Sequence, residues 1–151
     1  MALKKKEFSL DAIKSKFSTK TKYKPESFYN CGEAFMGSCG LPGPVMGGIN
    51  MFLGHSNTSK TTAMILAAAD AQKKGHLPVL IITEKKWSWE HAKEMGLQFE
   101  EVKDKNGTVV DYEGHFLYAD RGQLNTIEDV AVYMADLMDE QEKGKLPFDL
   151  V

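Results

Sequence analysis

Nine residues, Gly54-His55-Ser56-Asn57-Thr58-Ser59-Lys60-Thr61-Thr62, separate an apolar run, Ile49–Leu53, from an alanine-rich stretch, Ala63–Ala69. That order predicts a strand, a tight loop and a helix. The loop follows the spacing G-x-x-x-x-G-K-[ST], with Ser59 in the place of the second glycine. Each part has a physical task. Amides of His55 to Ser59 and the first turn of the helix aim donors and a partial positive charge at an anionic phosphate. The Lys60 ammonium is a point charge for the β- and γ-phosphates, and the Thr61 hydroxyl is a ligand for Mg²⁺. Gly54 provides backbone freedom where the strand ends. Ser59 fits if the position needs only a small side chain, and is strained if it needs positive φ. The bland alternative is a chance match in a polar turn. The strand before it and the alanine-rich helix after it argue against that.

Length and composition agree with one globular domain. The chain has 151 residues, 42% hydrophobic and 26% charged. Its longest apolar runs fall well short of the roughly 20 residues of a membrane span. Met1 to Phe8 lacks a signal-peptide core. Cys31 and Cys39 are too few for a disulfide framework, so a cytoplasmic location is expected. His55, His76, His91 and His115 are scattered and form no zinc-type cluster. The net charge of −2 conceals an asymmetry: residues 1–24 hold eight lysines against Glu7 and Asp11, a balance of +6, which leaves −8 for the rest. Such an arm binds nucleic acid or an acidic neighbour, or is simply a solvated tail.

The remaining pattern is α/β. Residues 1–28 read as a basic arm with a short amphipathic helix, Leu10, Ile13 and Phe17 recurring after Ser9. The glycines and prolines of 25–48 predict a loop region with one helical turn at Ala34–Met36. The loop helix runs from about Ser59 to Lys74, ended by Gly75, and Pro78–Thr83 suits a buried parallel strand. Ser88–Met95 reads as a helix, Phe99–Val102 and Val109–Tyr112 as a hairpin through Asn106-Gly107, and Phe116–Tyr118 as a strand. Thr126 opens a helix with a Met-rich face expected in the core, and Leu146–Val151 begins a further apolar run. Alternating strands and helices predict a mainly parallel sheet flanked by helices. Cys31 and Cys39 read as small apolar fillers.

Glu84 lies 24 residues after Lys60, just past the second strand. Ligands of parallel sheets gather at that end, so a carboxylate there can orient an attacking water. The alternative is a surface glutamate in the Glu84-Lys85-Lys86 cluster. Trp87 and Trp89 read as packing residues or pocket walls, with stacking on DNA bases as the other option.

Gly40-Leu41-Pro42, Gly47-Gly48-Ile49, the loop, Val79–Glu84 and the exit Glu94-Met95-Gly96-Leu97 resemble the RecA/RadA recombinase ATPases, in particular phage recombinases of the UvsX type. The resemblance covers roughly residues 29–151. It implies a RecA-like P-loop NTPase core whose sheet is incomplete in this chain. It makes His55 to Ser59 the phosphate cradle, with Lys60, Thr61 and Thr62 following. Glu84 becomes the residue that polarises water. His91 takes a position against the adenine, although Ser88 and His91 depart from the family's aspartate and tyrosine there. The cofactors implied are ATP and Mg²⁺. The activity implied is a DNA-dependent ATPase, in the full-length protein, driving strand exchange on single-stranded DNA by self-association into a filament. Phe148-Asp149-Leu150-Val151 resembles the start of the Walker B strand, with the functional aspartate expected beyond Val151 and the DNA contacts beyond that. Two other readings stay open: a RecA-fold hexameric helicase domain assembled as a ring, and a short subunit that binds nucleotide or a partner without hydrolysis.

Overall fold

The computed structural model describes residues 27–151. The predicted arm helix with Leu10, Ile13 and Phe17 lies outside the described residues. The elements are α1 (Glu33–Cys39), α2 (Lys60–Lys73), β1 (Val79–Ile82), α3 (Trp89–Glu94), β2 (Glu100–Lys103), β3 (Val109–Glu113), β4 (Leu117–Asp120) and α4 (Ile127–Glu142).

The parallel pairing expected from alternating strands and helices is present. β1 runs parallel to β4, with Val79 opposite Leu117 and Ile82 opposite Asp120. On the other side of β1 the last residues add a short parallel bridge. Leu77 N–H donates to Asp149 O at 2.9 Å, and Val151 N–H returns a bond to Leu77 O at 3.0 Å. A separate antiparallel pair, β2 with β3, is the predicted hairpin. Asp104 organises its turn: its carboxylate accepts from Asn106 and Thr108 N–H, and Gly107 supplies the left-handed residue at φ 82°. The molecule is thus a small α/β domain with a short parallel sheet and helices.

Helix ends follow their local chemistry. Thr126 and Asp129 form a reciprocal capping box at the start of α4. The N–H groups of Thr126 and then Asn125 hold the Asp129 carboxyl below its usual range. Ser88 caps α3 by accepting from His91 N–H. Before α2, the segment 27–31 pairs with 42–46, Tyr29 N–H donating to Pro44 O and Cys31 N–H to Pro42 O, so α1 is carried between two bonded strands of chain.

α2 sits between two cores. Ala63, Ala67 and Ala71, four residues apart on one stripe, pack on Tyr29 and Cys31. Ile65 and Ala68, on another face, pack with Ala92 and Leu97 and with the half-buried Leu80, Trp87 and Trp89. Gln72 then ties the helix to two loops: its amide donates to Gln98 O and His115 O and accepts from Gln98 N–H.

Three expectations are corrected. Ile49–Leu53 is not a strand. Its backbone has no ladder partner among the described residues, and Ile49, Met51 and Leu53 are 103%, 77% and 83% exposed. Only Phe52 turns inward, against Phe35. The Met-rich face of α4 is not core: no residue of α4 is buried, and Met134 and Met138 are exposed. Cys39 is exposed at the end of α1, whereas Cys31 is the buried filler. No helix among the described residues is long and apolar enough to cross a membrane.

Gly43 abuts the first core, where an added Cβ would collide with Tyr29 O and come within 2.9 Å of Cys31 Sγ. Gly43→Ala is therefore expected to lower unfolding free energy by about 1–3 kcal/mol, read by chemical denaturation. An unchanged midpoint would show that the 27–31/42–46 pairing is looser than described.

Candidate functional site

The loop between Leu53 and α2 is shaped by its own short contacts. Thr58 Oγ1 donates to His55 O at 2.8 Å, and Lys60 Nζ donates to the same carbonyl at 2.6 Å. Lys60 Nζ also lies 3.3 Å from Thr58 Oγ1. The lysine thus folds back across the loop rather than into solvent. Gly54 is needed here for space: a Cβ on it would stand 2.7 Å from Thr58 Oγ1. That replaces the expected reason, backbone freedom, since Gly54 is not among the positive-φ residues.

Two non-glycine residues of the loop are left-handed, Asn57 at φ 62° and Ser59 at φ 58°. Asparagine tolerates this region better than most residues, and serine does so at a cost of about 1–2 kcal/mol. Ser59 therefore occupies the strained one of its two anticipated cases. It caps α2 with its carbonyl, which accepts from Ala63 N–H at 3.0 Å, but its side chain makes no capping bond. The N–H groups of the first helical turn, from Lys60 to Thr62, have no intrahelical acceptor and point toward the loop. Together with the helix dipole they make this end electropositive.

His91 is held at the same end. Its Nε2 lies 3.1 Å from Thr62 Oγ1, and its Nδ1 lies 3.8 Å from Glu94 Oε2. α3 is thereby tied by a side chain to the first turn of α2. Thr61 is exposed beside it.

Glu84 follows β1 and is exposed, within the wall of a pocket of about 260 Å³. That pocket is also lined by Ile82, Trp87, Trp89, Tyr118, Asp120, Arg121 and Gly122. Tyr118, Asp120 and Arg121 were not singled out from sequence. The parallel register of β4 on β1, which the sequence does not show, brings the carboxyl end of β4 to the same side of the sheet as Glu84. Trp89 is a packing residue, stacked on Tyr112 at 4.2 Å and in edge contact with Phe99 and Tyr118. Tyr118 Oη donates to Asp111 at 2.6 Å. Burial and that bond push its pKa up to about 12, and the same bond keeps the Asp111 carboxyl below its usual range. Among the described residues no group of three or more His, Cys, Asp or Glu side chains is arranged to hold a metal ion.

Compared with protein-family models, with curated proteins and with solved structures, the chain matches none.

Two predictions follow from this geometry. Ser59→Gly is expected to stabilise the chain by about 0.5–1 kcal/mol and Ser59→Val to destabilise it by at least as much, measured by denaturant unfolding. No difference between the two would show that position 59 is not left-handed. Burial, with Asp70 nearby, raises the Cys31 pKa to about 11, so at pH 8 a thiol reagent should modify Cys39 alone until the protein unfolds. Rapid labelling of both thiols in the native protein would contradict the buried position of Cys31.

Proposed function

We propose that this chain binds Mg-ATP in the loop of residues 54–62 and serves, as a RecA-like recombination ATPase, in DNA repair or strand exchange on single-stranded DNA. The observation that carries the reading is the loop itself. A left-handed Ser59 turns the chain into α2, and Lys60 lies across the loop within reach of any phosphate the amides would hold. The residues fit such a ligand. Gly54 keeps the space beside Thr58 open, and the Thr61 hydroxyl stands exposed at the helix start.

In this reading the amides of His55 to Ser59 and of the first turn bind the phosphates. Lys60 exchanges its bond to His55 O for the β- and γ-phosphate oxygens. Thr61 would ligate Mg²⁺, which when bound neutralises charge on those oxygens. Glu84 orients the attacking water for in-line displacement. His91, tied to Thr62, lies beside the bound nucleotide. Self-association into a filament or ring would complete the assembly. The two unpaired cysteines fit a reducing compartment such as the cytoplasm.

One observation favours a second reading, a subunit that binds nucleotide and a partner without turnover. Ile49, Met51 and Leu53 present an alternating apolar edge to solvent, as a segment awaiting a partner strand would.

The test is equilibrium binding of Mg-ATP, with hydrolysis measured beside it. Lys60→Ala should weaken binding by about 10- to 100-fold, the worth of a hydrogen bond to a charged group. Glu84→Gln should leave affinity within about threefold while lowering DNA-stimulated hydrolysis by about 10²- to 10⁴-fold. Unchanged affinity in the Lys60 variant would overturn the nucleotide reading. Unchanged hydrolysis in the Glu84 variant would remove Glu84 from the mechanism. Binding without turnover in the unsubstituted protein would favour the second reading.

A further inference from the structure

The pocket at the carboxyl ends of β1 and β4 carries more chemistry than the orientation of one water requires. Its walls are aromatic, Trp87, Trp89 and Tyr118, and its polar groups are of both kinds. Trp87 Nε1 is a buried donor without an acceptor among the described residues. Arg121, the single arginine of the chain, makes no ion pair or hydrogen bond among the described residues. Glu84 and Asp120 are acceptors, and Asp120 has one carboxylate oxygen engaged by Gly122 N–H at 2.8 Å. A purely anionic ligand would meet two carboxylates, and a purely cationic one would meet the guanidinium. A flat ring whose edge bears donors and acceptors side by side satisfies both.

We propose that this pocket binds one unpaired nucleobase, stacked on Trp87. Its exocyclic amine donates to the Asp120 carboxylate, and its ring acceptor or carbonyl takes a bond from Arg121. The volume of about 260 Å³ suits one base rather than a stack. Guanidinium and carboxylate groups read base edges in this manner, and aromatic faces hold bases of any kind. Thymine presents its one donor, N3–H, between two carbonyls that would face the carboxylate, whereas cytosine sets its amine beside a ring acceptor and a carbonyl, so amine-bearing bases such as cytosine are preferred. The base comes from a single strand or from a free nucleotide, and the two sources share this chemistry. The inference does not rest on ATP binding in the loop, and the Lys60 variant separates the two.

The experiment titrates the full chain with oligodeoxycytidylate, oligothymidylate and cytidine monophosphate while tryptophan fluorescence is recorded. Saturable quenching by oligodeoxycytidylate, at least about fivefold tighter than by oligothymidylate, is expected. Arg121→Gln should weaken it by about fivefold or more with an unchanged unfolding midpoint, because the exposed guanidinium holds nothing in the fold. Trp87→Ala should weaken binding, read by anisotropy of a labelled strand, by about 5- to 150-fold. Should that variant fail to fold, Trp87→Phe should retain binding and lose most of the quenching. Cytidine monophosphate binding as tightly as the strand would name the free nucleotide as ligand, and much weaker binding would name the strand. The proposal is overturned if none of the three probes quenches, if Arg121→Gln binds oligodeoxycytidylate and cytidine monophosphate as before, or if Lys60→Ala abolishes the quenching, which would make the pocket part of the loop's own site.

Discussion

Everything described depends on the packing of α2. It is the one element shared by both cores, and small residues make that possible. Ala63, Ala67 and Ala71 let Tyr29 and Cys31 approach one stripe, while Ile65 and Ala68 engage Ala92 and Leu97 on another. A larger residue at Ala71 or Ala92, both fully buried, has no space to enter. The helix start is therefore held from two sides, and the loop of residues 54–62 inherits a fixed base. Gln72 extends the same restraint, linking the far end of α2 to the chain on either side of the hairpin.

A fixed helix start explains how the loop keeps a costly shape. Asn57 and Ser59 sit in left-handed conformations, and Lys60 is bonded back to His55 O. Strain of this kind persists where the surroundings over-determine it, and such positions cluster at ligand sites. The polar groups it concentrates are main-chain donors, a cation and hydroxyls on an exposed surface. That is an arrangement suited to an anion rather than to a packing role. The end of β1 brings a second set of groups, around Glu84, to the carboxyl end of the sheet.

Much of this could be read from sequence, where local chemistry decided the outcome. The limits of α2 follow from the loop before it and Gly75 after it. The α4 start follows from Thr126 and Asp129, and the hairpin from Asp104 and Gly107. The exposed Ile49–Leu53 was not legible, because a strand needs a ladder partner and apolar alternation reports only the wish for one. The Met-rich face of α4 misled for a related reason: amphipathic periodicity marks a face that can pack, and no described segment buries it. Arg121 and Tyr118 were invisible for want of the β1–β4 register, which only the tertiary arrangement supplies. His91 was placed by resemblance against a nucleotide base; within the chain its ring nitrogens face Thr62 and Glu94.

The loop before α2 is proposed as a phosphate cradle held ready by the helix behind it. The most direct measurement is the change in backbone amide NMR shifts on adding Mg-ATP to the protein. The largest shifts are expected at residues 54–62, centred on Ser59, Lys60 and Thr61, with the buried residues of α2 little changed. Shifts confined to other regions, or none at saturating nucleotide, would contradict it.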